Sequence, residues 1–424
     1  MDPVVVLLGT LDTKGTEYRW LRERLIAAGC RVVLVDAGVP GDPDAGADVP
    51  AERVAAAAGA DPAALREAAD RGAAMSAMGR GAAAVLAEQH RRGELDAVLA
   101  LGGSGGAAIT AAALRALPVG VPKLLVSTMV SGDVADYVGG SDVTLMYSVT
   151  DVSGINRISR QVLGNAAGAA VGMAGAHAAR RTEPQPAADR PLVAASMFGV
   201  TTPAVTAARE RLEELGYDVL VFHATGTGGR ALESLAAGGD LAGVLDLTTT
   251  ELADELLGGV LSAGPDRLRA AGRAGLPQVV SLGALDMCNF GPRSTVPEHY
   301  AQRNLVEHNA QVTLMRTEEP DMAQLGRTLG ERLAAAAGPT AVFVPERGVS
   351  ALDVHGGPFR DAAADAACTA ALADALVGTG VEQHRIDAHI NDPAFARAAA
   401  ERLHELITTA STGPVAGAGA AQHR

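Results

Sequence analysis

The chain has 424 residues, enough for two or three domains with cores of their own. Its 35 basic and 49 acidic residues give a net charge of -14 with no basic block, which argues against nucleic acid as a main partner. No apolar run reaches the roughly 18–20 residues of a membrane span, and Met1-Asp2-Pro3 lacks the basic start of a secretory leader, so a cytoplasmic protein without a membrane partner is expected.

The first half alternates short apolar runs with helix-forming ones. Val4–Leu8, Val32–Val35, Val98–Leu101 and Leu124–Val126 read as strands. Glu17–Ala28, Pro62–Ala69, Ala82–Arg92, Ala107–Leu114 and the alanine-rich Gly154–Arg181 read as helices. Strands that are apolar throughout are buried on both faces, as in a parallel sheet covered by helices. Three prolines within Thr182–Pro191 mark a linker. Beyond it Leu192–Met197, Val219–Phe222, Val244–Leu247, Val279–Leu282, Ala341–Val344 and Arg385–Ile390 repeat the pattern, and the small polar residues from Thr409 read as a frayed tail. The fold class expected is α/β: two doubly wound Rossmann-like domains, 1–181 and 192–408, with mostly parallel sheets. The halves match at Arg24–Val32 and Arg211–Val219, each a helix end, a capping glycine and a strand start, which suggests an internal duplication.

Ligands of open parallel sheets gather at the carboxyl ends of strands. Gly102, Gly103, Ser104, Gly105 and Gly106 lie between a strand and a helix, where glycines admit an anion to backbone N–H groups and the positive helix end. After the first strand come Thr10, Asp12, Thr13 and Lys14; the lysine suits a phosphate and Asp12 suits Mg²⁺ or a helix cap. Asp36 ends the second strand, where a Rossmann-type domain places a ribose-binding acid, and Thr128 follows the fourth. Ala224–Gly229 repeats the glycine loop in the second half.

The second half carries the denser set of candidates. Asp286, His308 and Glu346 are candidates for acid–base work. Arg293, Arg316, Arg347, Ser350, Asp353 and His389 are candidates for holding an anionic organic substrate. A helix is expected to carry Arg303, His308 and Asn309 into Thr313–Thr317. Singly, each residue also fits a cap or a structural ion pair; the set is what points to a site. Cys30, Cys288 and Cys368 are odd in number and far apart, which fits neither a disulfide framework nor a zinc motif. Burial as a small hydrophobe is the plainer role for Cys288.

GTLDTKG at 9–15, GGSGG at 102–106, PKLLVST at 122–128, ATGTGG at 224–229, GALDMCNFGPRSTVPEH at 283–299, HNAQVTLMRT at 308–317 and HINDPAFA at 389–396 resemble the Tm-one-like ATP-binding family in order along the chain. Its plant member joins this module to a barrel domain and blocks tobamovirus RNA replication, whereas bacterial members stand alone. The resemblance implies two α/β domains, ATP as ligand with Mg²⁺, and a homodimer or higher homo-oligomer. It supplies no reaction. Ala107 replaces an expected hydroxyl, and Arg360-Asp361-Ala362 departs from the family's proline after the aspartate. The reading that follows is an ATP-dependent enzyme acting on a small anionic organic substrate at the domain interface. A non-catalytic nucleotide-binding regulatory protein is the alternative. A metal-dependent hydrolase or lyase using His308, His355 and His389 is a third, and the sequence leaves any metal unknown.

Overall fold

The structure, a computed structural model, describes residues 2–39, 46–67, 70–182 and 189–412. The chain divides into two compact α/β units, Met1–Ala187 and Ala188–Arg424. Residues 183–188 of the expected linker lie outside the described residues. Among the described residues no helix is long and apolar enough to cross a membrane.

The first unit runs β1 (Val4–Gly9), α1 (Leu11–Ala27), β2 (Arg31–Asp36), α2 (Ala51–Ala57), α3 (Pro62–Glu67), α4 (Arg71–Arg91), β3 (Ala97–Gly102), α5 (Ser104–Arg115), β4 (Lys123–Ser127), α6 (Ala135–Val138), β5 (Thr144–Tyr147) and α7 (Arg157–Thr182). Its strands form one parallel sheet in the order β2-β1-β3-β4-β5. β1 and β3 are buried along their whole length, with one core on each face of the sheet. That burial is why they read as unbroken apolar runs.

Two helices begin well before their sequence limits. α1 starts at Leu11 rather than Glu17, because Thr13 and Lys14 donate to the Thr10 carbonyl and wind GTLDTKG into an irregular first turn. α4 starts at Arg71 rather than Ala82, capped by the Asp70 carboxylate on the Ala73 N–H at 3.0 Å. Its glycines are contacts, not breaks: a β-carbon on Gly81 would lie 1.9 Å from the Val54 carbonyl oxygen of α2.

The second unit runs β6 (Leu192–Met197), α8 (Thr202–Glu214), β7 (Asp218–His223), α9 (Thr227–Gly238), β8 (Leu241–Thr248), α10 (Glu251–Leu257), α11 (Ala270–Arg273), β9 (Gln278–Gly283), β10 (Met287–Phe290), β11 (Leu305–Asn309), β12 (Val312–Arg316), α12 (Glu319–Ala334), β13 (Thr340–Pro345), α13 (Ala362–Ala375), β14 (Glu382–Ile386) and α14 (Pro393–Thr412). Six strands form a parallel sheet in the order β14-β13-β9-β8-β6-β7. Counted from its own first strand, each sheet runs 2-1-3-4-5, and the second adds a sixth strand. This shared order fits the duplication read from the sequence.

Three expectations for this unit need correction. Arg303, His308 and Asn309 are not on a helix: β11 and β12 form a hairpin in a small antiparallel sheet, ordered β10-β12-β11. The Asn309 side chain accepts from the Gln311 N–H at 2.8 Å and fixes the hairpin turn. The last strand ends at Ile386, not Ile390. The tail does not begin at Thr409, since burial of Leu403, Leu406 and Ile407 against the sheet carries α14 through Thr412. Residues 413–424 lie outside the described residues.

Candidate functional site

In the first unit the strand order reverses between β1 and β3, and loops that part at such a point leave a crevice in which open α/β sheets bind ligands. The parallel pairing of β1 and β3 runs to Leu8 opposite Ala100. Beyond it the buried phenol of Tyr18, from α1, accepts the Leu101 N–H at 2.9 Å and faces the carbonyls of Leu8 and Leu101 at 2.5 and 2.9 Å. Burial raises its pKa, so the phenol stays protonated and able to donate.

Above this split lies a cavity of about 440 Å³, a volume common for small-molecule sites. Gly103, Ser104, Gly105 and Gly106 form one wall, and Thr10, Asp12, Thr13 and Lys14 another. The first turn of α5 has no side-chain cap, so its N–H groups have no partner within the helix and need one from outside. Three cations line the same space: Lys14, Arg66 and Arg71. The Lys14 ammonium donates to the Val152 carbonyl and pairs with no carboxylate among the described residues. Arg71 has neither an ion pair nor a side-chain hydrogen bond among the described residues, while Arg66 holds Glu52 at 3.2 Å. Val39, Leu65, Met75 and Ile109 supply apolar wall. Asp12 contributes a carboxylate and Thr10 and Thr13 contribute hydroxyls, a donor set suited to one edge of a phosphate-bound Mg²⁺.

Three predicted residues of this half stand apart from the cavity wall. Gly102 lies behind it, where a β-carbon would strike the Ala107 nitrogen at 2.9 Å. Asp36 is buried, and its Oδ1 accepts from the N–H groups of Leu11 and Gly38 at 3.1 and 2.9 Å. Through these bonds it shapes the loop after β1. Thr128 opens a 3-10 turn after β4.

The second glycine loop is a different device. It follows its unit's second strand, not its third, and it is already filled. Glu251 Oε1 accepts from the N–H groups of Gly226 and Gly229 at 2.7 and 3.0 Å. The other oxygen of Glu251 takes the Arg267 Nε–H at 2.6 Å, and Arg267 also bonds the buried Asp246 and the partly buried Glu233. The reversal point of this sheet, between β6 and β8, is likewise closed. Ser196 reaches Asp246 at 2.6 Å, and the hydroxyls of Thr201 and Thr248 meet at 2.7 Å.

The catalytic and substrate candidates of the second unit separate into two groups. Asp286, Ser350 and Asp353 are wholly buried, and the half-buried His389 stands beside them. Ser350 Oγ donates to Asp286 Oδ2 at 2.7 Å, and His389 Nε2 donates to the Ser350 carbonyl at 2.9 Å. Among the described residues Asp286 Oδ1 has no hydrogen-bond partner, and burial pushes this carboxyl up to about 7. Arg316 commits every N–H internally: Nε to the Phe359 carbonyl, Nη1 to the carbonyl and hydroxyl of Thr317, and Nη2 to the Asp361 carbonyl and Asp365. It has no donor left for a substrate. The remaining candidates lie at the surface. Glu346 pairs with Arg385 at 2.9 Å, Arg347 pairs with Asp387 at 2.6 Å, Arg293 stands in an exposed turn, and His308 is exposed on the edge strand β11. Cys30, Cys288 and Cys368 are free and buried, with burial pushing the Cys368 thiol up to about 12. Among the described residues no three His, Cys, Asp or Glu side chains are grouped to hold a metal ion.

Residues 3–179 match the N-terminal domain, and residues 190–407 the C-terminal domain, of the uncharacterised protein family UPF0261. The chain belongs to the UPF0261 family. A UPF0261 protein of Clostridium tetani is 45% identical over 96% of this chain and 100% of its own length. One of Rhizobium meliloti is 48% identical over 95% of this chain and 98% of its own. The ToMV resistance protein Tm-1(GCR237) of Solanum lycopersicum is 44% identical over 74% of this chain, a stretch that covers 42% of the tomato protein. The motif resemblance and these relatives thus point to one family.

For this UPF0261 chain, sequence reasoning missed Arg66 and Arg71. One signal was available for Arg71. It follows the capping Asp70 and places a cation in the first turn of α4, where the helix dipole disfavours positive charge. A local rule broken without local gain often marks a site.

Proposed function

We propose that the first unit binds a nucleotide, ATP with Mg²⁺, and that the protein is an ATP-dependent enzyme acting on a small anionic organic substrate. One observation carries the reading: an uncapped glycine helix start opens into a cavity that also holds Lys14, Arg66 and Arg71, at the reversal point of the sheet. Phosphates would lie on the N–H groups of Gly103–Gly106, with Lys14 and Arg71 neutralising them. Asp12 would take the Mg²⁺. Catalysis at such a site is mainly positioning and charge stabilisation.

A binding-only reading is favoured by one observation. Arg316, Arg347 and Glu346, offered by sequence as substrate and catalytic groups, are engaged by the protein itself.

Calorimetric titration with MgATP tests the binding. A β-carbon on Gly105 would meet only the Met75 and Arg71 side-chain ends, at 3.5 and 3.6 Å, so Gly105→Val should fold and lose binding. Unchanged affinity in that variant would overturn the site. A phosphate-release assay with metabolite extract then separates enzyme from binder.

A further inference from the structure

The short helix α3 lines the phosphate cavity with Leu65 and Arg66, yet it buries none of its residues. Its neighbours are anchored: α2 buries Ala51, Val54 and Ala55, and α4 buries Met78, Ala82 and Leu86. By contrast α3 is held lightly. Leu65 packs half-buried against the edge of the core, and the Asp61 carboxylate takes the Ala63 N–H at 2.9 Å. Arg66 Nη1 reaches back to Glu52 of α2 at 3.2 Å. Both ends of that ion pair are exposed, and solvent leaves such a pair little net strength. Gly59, which joins α2 to α3, adopts φ +69°, and a β-carbon there would meet nothing within 4 Å. The joint is therefore unpacked, as in elements that move when a ligand arrives.

The three cations of the cavity thus differ in footing. Lys14 stands on α1, which buries Tyr18, Leu21 and Leu25, and Arg71 stands on the anchored α4. Arg66 stands on the lightly held piece, and its present partner, Glu52, is exposed on α2. With Asp12 on Mg²⁺ and Lys14 and Arg71 on phosphate, a diphosphate and a triphosphate meet the same fixed groups. Arg66 is the cation left over. A third phosphate adds negative charge, which a guanidinium neutralises through charge-assisted and often bidentate bonds. Moving from Glu52 to that phosphate exchanges a solvent-screened pair for one inside a cavity, where screening is weaker.

We propose, resting on the nucleotide reading of this cavity, that Arg66 makes the site selective for a nucleoside triphosphate over a diphosphate. Arg66 leaves Glu52 for the terminal phosphate and brings α3 down onto the bound ligand. Glu52 competes with that phosphate for the guanidinium and so sets how readily α3 closes.

The test is calorimetric titration of the full chain with MgATP and with MgADP, together with hydrogen exchange across residues 62–67 at saturation of each. The wild type should bind MgATP roughly tenfold or more tighter than MgADP, the scale of one charge-assisted contact. MgATP should slow exchange in α3, and MgADP should not. Arg66→Gln should bring MgATP down to the affinity of MgADP, leave MgADP within about twofold, and abolish the slowing of α3 even at saturating MgATP. Glu52→Gln frees Arg66 and should tighten MgATP by roughly two- to fivefold, the worth of an exposed pair, with MgADP unchanged. No preference for MgATP in the wild type, an equal loss of both nucleotides in Arg66→Gln, or α3 protection that survives Arg66→Gln overturns the proposal and leaves the nucleotide reading standing. If neither nucleotide binds the wild type, that reading falls and this proposal falls with it. Arg66 and Glu52 are both exposed, so neither substitution should disturb the fold.

Discussion

The phenol oxygen of Tyr18 occupies the place a side chain on Gly9 would take: a β-carbon there would lie 1.9 Å from it. The two residues form one wedge at the split between β1 and β3. Because Tyr18 is buried and bonded to Leu101, it has no free rotamer to escape to. Gly9→Ala should therefore cost about 1–3 kcal/mol by overpacking. Tyr18→Phe should cost about 1–3 kcal/mol by leaving the Leu101 amide unsatisfied. Denaturant unfolding of Gly9→Ala, of Tyr18→Leu and of the two combined should show the double less destabilised than the sum. Simple additivity would contradict the wedge.

Asp286 makes the second unit sensitive to pH. Its carboxyl titrates near 7 when folded and near 3.8 otherwise. Between those values the folded chain holds a proton that the unfolded chain releases. The stabilisation is thus complete below about 4 and is lost as pH rises through about 7. Asp286→Asn mimics the neutral acid, so its stability should fall less than the wild type's from pH 5 to pH 8. Parallel curves for the two proteins would show that Asp286 is not protonated in the folded state.

Removing Arg267 should be among the most damaging single changes in the second unit. It is fully buried and neutralises Asp246, Glu251 and Glu233 together. Arg267→Met leaves buried carboxylates without a counter-ion, which costs about 3–5 kcal/mol or more. Glu251→Gln keeps an acceptor for Gly226 and Gly229 and should cost less. Thermal unfolding ranks the two, and equal losses would contradict this account.

Arg316→Ala should lower stability by about 1–3 kcal/mol, since it leaves the Phe359 and Thr317 carbonyls without a donor in the interior, while Arg360 still holds Asp365. MgATP affinity should not change, because Arg316 has no part in the first-unit cavity. Weakened MgATP binding in a still-folded variant would return Arg316 to the ligand site.

The sheets were legible because their strands are buried on both faces, which leaves runs such as Val4–Leu8 and Val98–Leu101 without a polar interruption. The start of α4 was not, because Gly72, Gly79 and Gly81 carry the marks of a broken helix although two of them serve close packing. Thr10–Lys14 and Gly103–Gly106 could be assigned to one crevice because strand-end loops converge by topology. Asp36 could not be placed the same way: the same position at a strand end serves a ribose or a backbone amide, and only the turn at Gly38 decides. In the second unit, charge beside Phe, Met and Pro offered Asp286 as an acid–base group and Arg316 as a substrate holder, and both lie in a buried network. Sequence cannot tell a buried network from an open pocket, because both need the same residue types.

Glu251 gives the second unit an anion of its own at the glycine loop, whereas the helix start at the first unit's glycine loop has no side-chain cap, and under the proposed function its anion comes from solution. The two halves should then respond differently to heating with ligand. A calorimetric scan should resolve two transitions, and saturating MgATP should raise only one of them. At a hundredfold excess over Kd that half gains about 2.7 kcal/mol. The other half, carrying its countercharge in the chain, melts where it did before.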